Sequence, residues 1–278
     1  MASVINTNVA SLNAQRNLSS SQSSLQTALQ RLSSGLRVNS AKDDAAGLAI
    51  ATRMQAQSRG MGVAIRNAND AISMSQTAEN AVGQIKDHLL RMRDIAVQSA
   101  NATNTSADRD QLQTEYGELS KEISRVYTQT NFNGINILDT GAGTNSFQIG
   151  ANTGQTVDIV TTSLSGIYGG ISGTSVSGSS STVSATAVAA IAAIDDQIDA
   201  LSTQRSVYGA AQTRFEGVVS MLQSAQENQD SAISRIMDAD YAAETAKLTR
   251  AQILQQAGTA MLAQANSSPN GVLTLLRG

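Results

Sequence analysis

Cysteine is missing from this 278-residue chain, and proline, aromatic residues and charge are all scarce. Without cysteine the chain can form no disulfide, thiolate nucleophile or zinc–cysteine site. The single proline, Pro269, leaves nearly the whole sequence free to be helical. Aromatic residues make up 3% and charged residues 15% of the chain. The core must therefore form from many small contacts, which suits long helices packed side by side.

The sequence also lacks the groups on which most enzymes and cofactor sites depend. His88 is the only histidine, and no nucleophile motif accompanies it. The HExxH pattern of metallopeptidases is absent, and the glycines at 141–143 and 169–170 have no strand-to-helix context for a phosphate loop. We therefore expect no catalytic residue, no metal and no cofactor. A net charge of −3 provides no strong field for nucleic acid, so none is expected as a partner.

Long apolar runs are absent as well. No stretch reaches the 18 consecutive apolar residues typical of a membrane span, so we expect no membrane insertion. The first residues, MASVINTNVASLNAQ, have no basic start, no continuous apolar stretch and no small-residue cleavage site. The sequence therefore predicts no cleavable signal peptide.

What is present is heptad spacing, which begins near the start of the chain. Leu18, Leu25 and Leu32 are seven residues apart, and Leu29 and Leu36 form a companion row. This spacing predicts a coiled-coil seam.

Heptad rows also organise the rest of the helical sequence. The motif NSAKDD offers Ser40 as N-cap, with Asp43 three residues later, which predicts a capping box opening a helix of roughly 80 Å that runs to about residue 100. Ser106 is the predicted cap of the next helix. A second rod begins near 187, and a final helix spans about 240–266. The first rod has two rows, which are Met54, Met61, Ala68, Ser75, Val82, Leu89 and Ala96, and Ala64, Ala71, Ala78, Ile85 and Met92. The two rows of the second rod are Ile194, Leu201, Tyr208, Phe215 and Leu222, and Ala211, Val218, Ala225 and Ala232.

The middle of the chain differs in kind. Apolar and polar residues alternate in NSFQIGANTGQTVDIV, which predicts a β-hairpin at about 145–160. The following residues, about 161–186, are rich in glycine and serine without periodicity and are predicted to be an exposed loop. The predicted fold is mainly α, with long antiparallel coiled-coil rods, a small β-hairpin region and an elongated form.

The apolar C-terminal segment predicts self-assembly. Residues 251–276 contain no charged side chain, and apolar residues extend around more than one stripe of the helix. A single partner helix covers only one seam, so other copies must cover the rest. The alternative is an amphipathic effector that inserts into host membranes. Such helices usually carry Lys and Arg on the polar face, whereas this one carries Gln and Ser.

Several motifs resemble those of bacterial flagellin, the subunit of the flagellar filament. They are LSSGLRVNSAKDDAAGLAIATRM, QTNFNGINIL, SRIMDADYAAETAKLTRAQILQQAGTAMLAQAN and the ending VLTLLRG. The resemblance covers roughly residues 1–160 and 185–278. A hook-filament junction protein, whose ends are similar, is the nearest alternative. Both are structural proteins rather than enzymes.

The resemblance implies a discontinuous domain organisation. Residues 1–45 and 236–278 would form a coiled-coil tube lining the filament channel, and they would be disordered before assembly. Residues 46–235 would form the surrounding shell, with the hairpin and the Gly/Ser-rich segment. The protein would be extracellular and would leave through the flagellar export apparatus. Its partners would be other copies of itself, an export chaperone, the filament cap and hook-filament junction proteins.

The resemblance also implies specific residues. Hosts would recognise LRMRDIAVQ through a Toll-like receptor, using Arg91, Arg93, Ile95 and Gln98, with Glu115 as a companion. Arg91 and Ile95 are four residues apart and are expected to share an exposed face. Inflammasome receptors would read the C-terminal residues. The residues assigned to the polymerisation core are Leu18, Leu25, Leu29, Leu32, Ile253, Leu254, Met261, Leu262, Val272, Leu273, Leu275 and Leu276.

Overall fold

The computed structural model describes the backbone of residues 7–178 and 183–275, and the side chains of these residues except 183, 184 and 268–275. Helices account for most of the described chain, which confirms the mainly α fold. The elements are α1 (Val9–Ser34), α2 (Ala45–Ser99), α3 (Ser106–Gln129), β1 (Asn131–Phe132), β2 (Ile135–Asn136), β3 (Thr144–Gln148), β4 (Thr156–Val160), α4 (Ser165–Ser172), α5 (Val183–Met237) and α6 (Tyr241–Leu275).

The chain divides into two compact units. The terminal unit comprises residues 1–56 and 228–278, and the central unit comprises residues 57–227. In the terminal unit, α1 packs against α6. In the central unit, α2, α3 and α5 share one hydrophobic core with α4 and the β3–β4 hairpin.

Local sequence explains where α1 begins and ends. The Asn8 side chain accepts a hydrogen bond from the Ser11 N–H, which satisfies one of the unpaired donors of the first turn. At the other end, Gly35 adopts a left-handed conformation with φ of 73°, and its N–H donates to the Arg31 carbonyl. Glycine is favoured at such a C-cap because it has no Cβ to clash.

The start of α2 differs from the prediction. Ser40 and Asp43 do form the expected hydrogen bonds, but they close a turn before the helix rather than capping it. The cap is Asp44, whose carboxylate accepts the Gly47 N–H at 2.8 Å. The predicted box pairs Ser40 with Asp43, but only Asp44 lies directly before α2.

The cap of α3 is displaced by one residue from the prediction. Thr105, not Ser106, accepts the Asp108 N–H, and Asp108 in turn accepts the Thr105 N–H. This reciprocal capping box satisfies two backbone donors together. The hydrogen bonds from the Thr105 hydroxyl and N–H lower the pKa of the Asp108 carboxyl. The two hydroxyl residues are neighbours in the sequence, and only Thr105 has an acid three residues later.

The α2–α3 turn is held by a buried arginine. Arg109 is 2% exposed, and its guanidinium donates to the carbonyls of Ser99 and Asn101. These carbonyls lie at the C-terminal end of α2, where helical partners are missing and the helix dipole favours a cation. Arg109 therefore fixes the direction in which the chain enters α3.

The heptad rows of α2 and α5 form the core of the central unit as predicted. Ile85, Leu89, Tyr208 and Phe215 are fully buried. Side-chain hydrogen bonds join the helices at two levels. Arg93 donates to Asp195, and both Arg205 and Gln212 donate to Glu79.

The predicted β-hairpin forms from β3 and β4. The strands pair antiparallel, from Thr144 opposite Val160 to Gln148 opposite Thr156. Phe147 meets Phe215 of α5 edge to face, with ring centroids 5.9 Å apart. A second, two-residue hairpin pairs β1 with β2 through Asn133 and Gly134. Both turn residues have positive φ, as such a tight turn requires.

The prediction of an exposed loop at about 161–186 is wrong for much of that segment. Residues Ser165–Ser172 form α4, and α5 begins at Val183. Ile167, Ile171 and Val176 are buried in the core. The Gln113 carboxamide oxygen accepts the N–H groups of Val176 and Ser177, so α3 holds the chain after α4. A few well-spaced apolar residues thus order a segment whose composition is typical of a loop.

Candidate assembly surface

The α1–α6 pair is built on matching heptads. Half-buried or buried positions recur at alternating spacings of three and four residues in both helices, as in a two-stranded coiled coil. In α1 these positions are Ser11, Ala14, Leu18, Ser21, Leu25, Ala28 and Leu32. In α6 they are Glu244, Leu248, Ala251, Gln255, Gly258, Leu262 and Ala265.

Contacts along this seam show that the helices run antiparallel. At one end, Asn8 Nδ2 donates to the Ala265 carbonyl at 2.8 Å. In the middle, Leu18 lies so close to Gly258 that a Cβ there would be 3.3 Å from Leu18 Cδ1. At the other end, the Tyr241 hydroxyl donates to the Leu32 carbonyl at 3.1 Å.

A large part of the apolar surface of this pair stays in contact with water. Each of the exposed apolar residues has at least half of its surface exposed. They are Val9, Leu12, Leu29, Tyr241, Ile253, Leu254 and Met261, the last at 64%. Burying one such side chain contributes about 1.5–3 kcal/mol. We call this set the exposed apolar surface.

The structure divides the residues predicted for the polymerisation core into three groups. Leu18, Leu25, Leu32 and Leu262 lie half-buried in the α1–α6 seam. Leu29, Ile253, Leu254 and Met261 belong to the exposed apolar surface. Val272, Leu273, Leu275 and Leu276 lie outside the residues whose side chains are described. The heptad pattern identified both seam and surface residues without separating them.

Charge is concentrated at one seam position that the sequence did not single out. Glu244 is 5% exposed, with Arg31 Nη1 3.8 Å from one carboxylate oxygen and Lys247 Nζ 2.9 Å from the other. The sequence could have indicated this cluster, because Arg31, Glu244 and Lys247 are among the few charged residues of α1 and α6.

The residues predicted for receptor recognition occupy different environments in the central unit. Arg91 and Glu115 join α2 to α3 through an ion pair of 2.6 Å, and both side chains are about half exposed. Gln98 is exposed. Ile95 is fully buried in the core, so the prediction that it shares an exposed face with Arg91 is wrong. A residue four positions along a helix is rotated by about 40°, which here places Ile95 beneath the surface.

Arg93 is engaged with α5 rather than with α3. Its Nε and Nη2 donate to the two oxygens of Asp195 at 2.6 and 3.3 Å. The hydrogen bond from the guanidinium lowers the pKa of the Asp195 carboxyl and raises the pKa of Arg93. This two-point contact fixes the planar guanidinium against one carboxylate.

Comparison with known proteins identifies the family. Residues 5–143 match the bacterial flagellin N-terminal helical region, and residues 191–276 match the bacterial flagellin C-terminal helical region. The chain belongs to the bacterial flagellin family. Flagellin of Halalkalibacterium halodurans is 45% identical over 276 residues, covering 99% of this chain and all of that protein. Flagellin of Xenorhabdus nematophila is 41% identical over 313 residues, covering both proteins in full.

A solved structure supports the flagellin fold. A protein assigned as flagellar hook-associated, from Vibrio parahaemolyticus, aligns with a TM-score of 0.63 at 16% identity. The alignment covers 70% of this chain and all of that one. At this identity the likeness concerns the fold alone.

Family membership establishes the general role. A flagellin is a structural protein rather than an enzyme, and it self-assembles into the extracellular flagellar filament. Among residues 7–178 and 183–275, no helix combines the length and hydropathy needed to cross a membrane. The same described ranges hold no group of three or more His, Cys, Asp or Glu arranged to bind a metal.

Proposed function

We propose that this flagellin polymerises through the exposed apolar surface of its α1–α6 pair. The proposal depends on one observation: at least half of the surface is exposed to water in Leu29, Ile253, Leu254 and Met261. These residues lie outside the seam in which α1 and α6 already pack against each other. These side chains have no core of their own to enter, so packing against further copies is the way to remove them from water.

This proposal agrees with the arrangement implied by the family. In this proposal residues 1–45 and 236–278 form the terminal coiled-coil domain, which orders on assembly, and residues 46–235 form the helical rod domain. Val272, Leu273, Leu275 and Leu276 extend the same polymerisation core. The subunit passes through the export apparatus without a cleavable signal peptide, with an export chaperone as partner. The filament cap and the hook-filament junction proteins meet it outside the cell.

Changing Met261 to Asp tests the proposed surface. The side chain is 64% exposed in the single chain, so the variant should fold as well as the parent. In a filament the new carboxylate would be buried without a partner, which costs several kcal/mol. We expect seeded filament growth to be lost, as measured by light scattering and negative-stain electron microscopy. Met261→Leu, which keeps the apolar volume, should grow normally. Normal filaments from Met261→Asp would refute this use of the surface.

We further propose that the monomer is recognised by innate immune receptors of hosts. Arg91, Gln98 and Glu115 present polar groups at the surface, and the Arg91–Glu115 ion pair holds two of them together. In this proposal Arg93 contributes through the neighbouring α2–α5 contact. The C-terminal residues from Val272 are the proposed ligand of the inflammasome receptors.

Receptor recognition can be tested with two matched arginines. Arg91 and Arg125 both have 53% of the side chain exposed, and both pair with a glutamate. We expect Arg91→Ala to reduce signalling in cells carrying the Toll-like receptor for flagellin by about tenfold, the range of an interface hot spot. Arg125→Ala should leave the dose response unchanged. Equal responses from the two variants would contradict the proposed patch.

A further inference from the structure

The α1–α6 seam contains a buried ionic cluster between two helices that carry few charged residues. Over its whole length α1 contains only two charged residues, Arg16 and Arg31. Arg31 meets Glu244, and Glu244 also binds Lys247, one helical turn along α6. The Glu244 side chain is 6% exposed, against 23% for Arg31 and 56% for Lys247. A carboxylate has therefore been taken out of water at a position where the heptad pattern calls for an apolar residue.

Such a cluster is a poor means of stabilising a helix pair. Removing a carboxylate from water costs much of what its attraction to nearby cations returns. Arg31 Nε is buried as well and has no hydrogen-bond partner within the described part of the chain. An apolar residue in place of Glu244 would serve stability equally well. The best-attested role of a polar group in a helix seam is to specify register and partner.

The other seam residues leave the register poorly defined. In α6, Ala251, Gly258 and Ala265 are small and seven residues apart. In α1 the leucines at 18, 25 and 32 have the same repeat. Sliding one helix by a heptad, about 10 Å, therefore places leucines against small residues again. Apolar packing alone distinguishes weakly between the native pairing and the slipped one.

The ionic cluster distinguishes strongly between the native and the slipped pairing of α1 with α6. After a slip of one heptad that brings Ala251 opposite Leu18, Glu244 would face residues near Leu25 and would lose Arg31. A pair formed by α6 helices of two copies would bury two Glu244 carboxylates without any arginine from α1. In both cases a desolvated carboxylate keeps only the local contact with Lys247.

We propose that Glu244, together with Arg31 and Lys247, specifies the register of the α1–α6 pair and selects α1 as the partner of α6. The inference rests on the proposed function, since correct pairing of the chain ends determines which apolar residues a subunit presents to its neighbours. The backbone bridge between Leu36 and Asp238 ties the two segments where the pair begins. The proposal assigns the register beyond that point to the ionic cluster.

The absence of cysteine allows the register to be read directly. A Cβ at position 258 would lie 3.8 Å from Leu18 Cβ, within the range of about 3.5–4.5 Å that disulfides require. The pair Leu18→Cys with Gly258→Cys therefore reports the native register. The pair Leu18→Cys with Ala251→Cys reports a slip of one heptad. Both full-length chains would be oxidised in seeded filaments, where the proposed function orders the chain ends, and internal cross-links would be counted by peptide mass spectrometry.

With Glu244 present, we expect the native pair to cross-link at least about tenfold more than the slipped pair. In Glu244→Leu this ratio should fall by about tenfold, because the slipped register no longer strands a carboxylate. The double variant Arg31→Leu with Glu244→Leu should show the same fall while keeping a continuous apolar seam, which covers the case in which the single variant pairs poorly. Thr245→Leu, at an exposed neighbouring position, should leave the ratio unchanged.

The outcomes separate this inference from the proposed function. If the ratio of native to slipped cross-links is unchanged in Glu244→Leu and in the double variant, the ionic cluster does not specify the register. The backbone bridge between Leu36 and Asp238 would then have that role. A fall of equal size in Thr245→Leu would also overturn the register role of the cluster, because added apolar surface would then be the cause. Failure of the parent chain to polymerise on seeds would instead count against the proposed function. Variants that do not polymerise alone are assessed by the same ratio after co-assembly with an excess of the parent chain.

Discussion

Deletion of residues 251–278 is expected to abolish filament formation while leaving the central unit folded. The deletion removes most of α6, including Ile253, Leu254 and Met261 of the exposed apolar surface. It also removes Gly258 and Leu262 from the seam, so α1 loses most of its partner. The described core of the central unit runs from Ala68 to Phe215, with Val219 packed against it, so its packing does not depend on the deleted segment.

Two measurements check this expectation. Negative-stain electron microscopy after seeding should show filaments from the full chain and none from the truncated chain at equal concentration. Far-UV circular dichroism should show a helical protein that still unfolds cooperatively, because the α2–α3–α5 core is intact. Filaments from the truncated chain would refute a role for the C-terminal segment in polymerisation. Loss of cooperative unfolding would instead show that the central unit needs the deleted residues.

The rods were the most predictable part of this fold, because periodicity is a signal repeated many times. The rows containing Ile85 and Leu89 in α2, and Tyr208 and Phe215 in α5, were predicted from heptad spacing and are buried. A single misleading residue changes little in a pattern of this length. Helix ends depend on one or two residues, and both predicted caps, Ser40 and Ser106, are displaced from the observed caps.

The segment around α4 was less predictable because its order comes from tertiary contacts. Glycine and serine dominate its composition, and only a few apolar residues mark the buried face. Gln113 of α3, far away in the sequence, supplies the hydrogen bonds that hold Val176 and Ser177. A rule based on local composition has no access to such partners.

The sequence pattern also could not predict which individual residues of α2 and α3 are buried. Arg109 stands among acidic and polar residues, as a surface residue would, yet it is buried because it binds carbonyls at the end of α2. Ile95 lies one turn from the exposed Arg91, but the core side of α2 includes it. The number of residues between two positions gives the angle between their side chains around the helix. Which of the two side chains is buried depends on the helices and strands that pack against it.

Replacing Phe215 by Ala should strongly destabilise the central unit. The side chain is fully buried and contacts Phe147 of the hairpin edge to face. Removing a buried phenylalanine typically costs about 3–5 kcal/mol, through lost transfer energy and the cavity that remains. A domain of this size loses about 2–4 °C of melting temperature per kcal/mol. We therefore expect the central unit of the variant to melt about 6–20 °C below that of the parent.

Met221 provides the control on the same helix. It is 61% exposed, and a surface truncation usually changes stability by no more than about 0.5 kcal/mol. Urea unfolding followed by circular dichroism should therefore separate Phe215→Ala clearly from Met221→Ala. Equal stability of the two variants would mean that Phe215 does not belong to the core.

Because Phe215 lies in the central unit and Met261 in the terminal unit, Phe215→Ala should weaken folding but still form filaments below its melting temperature. Met261→Asp should fold and fail to assemble. Opposite results for these two variants would reverse the assignment of stability to the central core and of polymerisation to the α1–α6 pair.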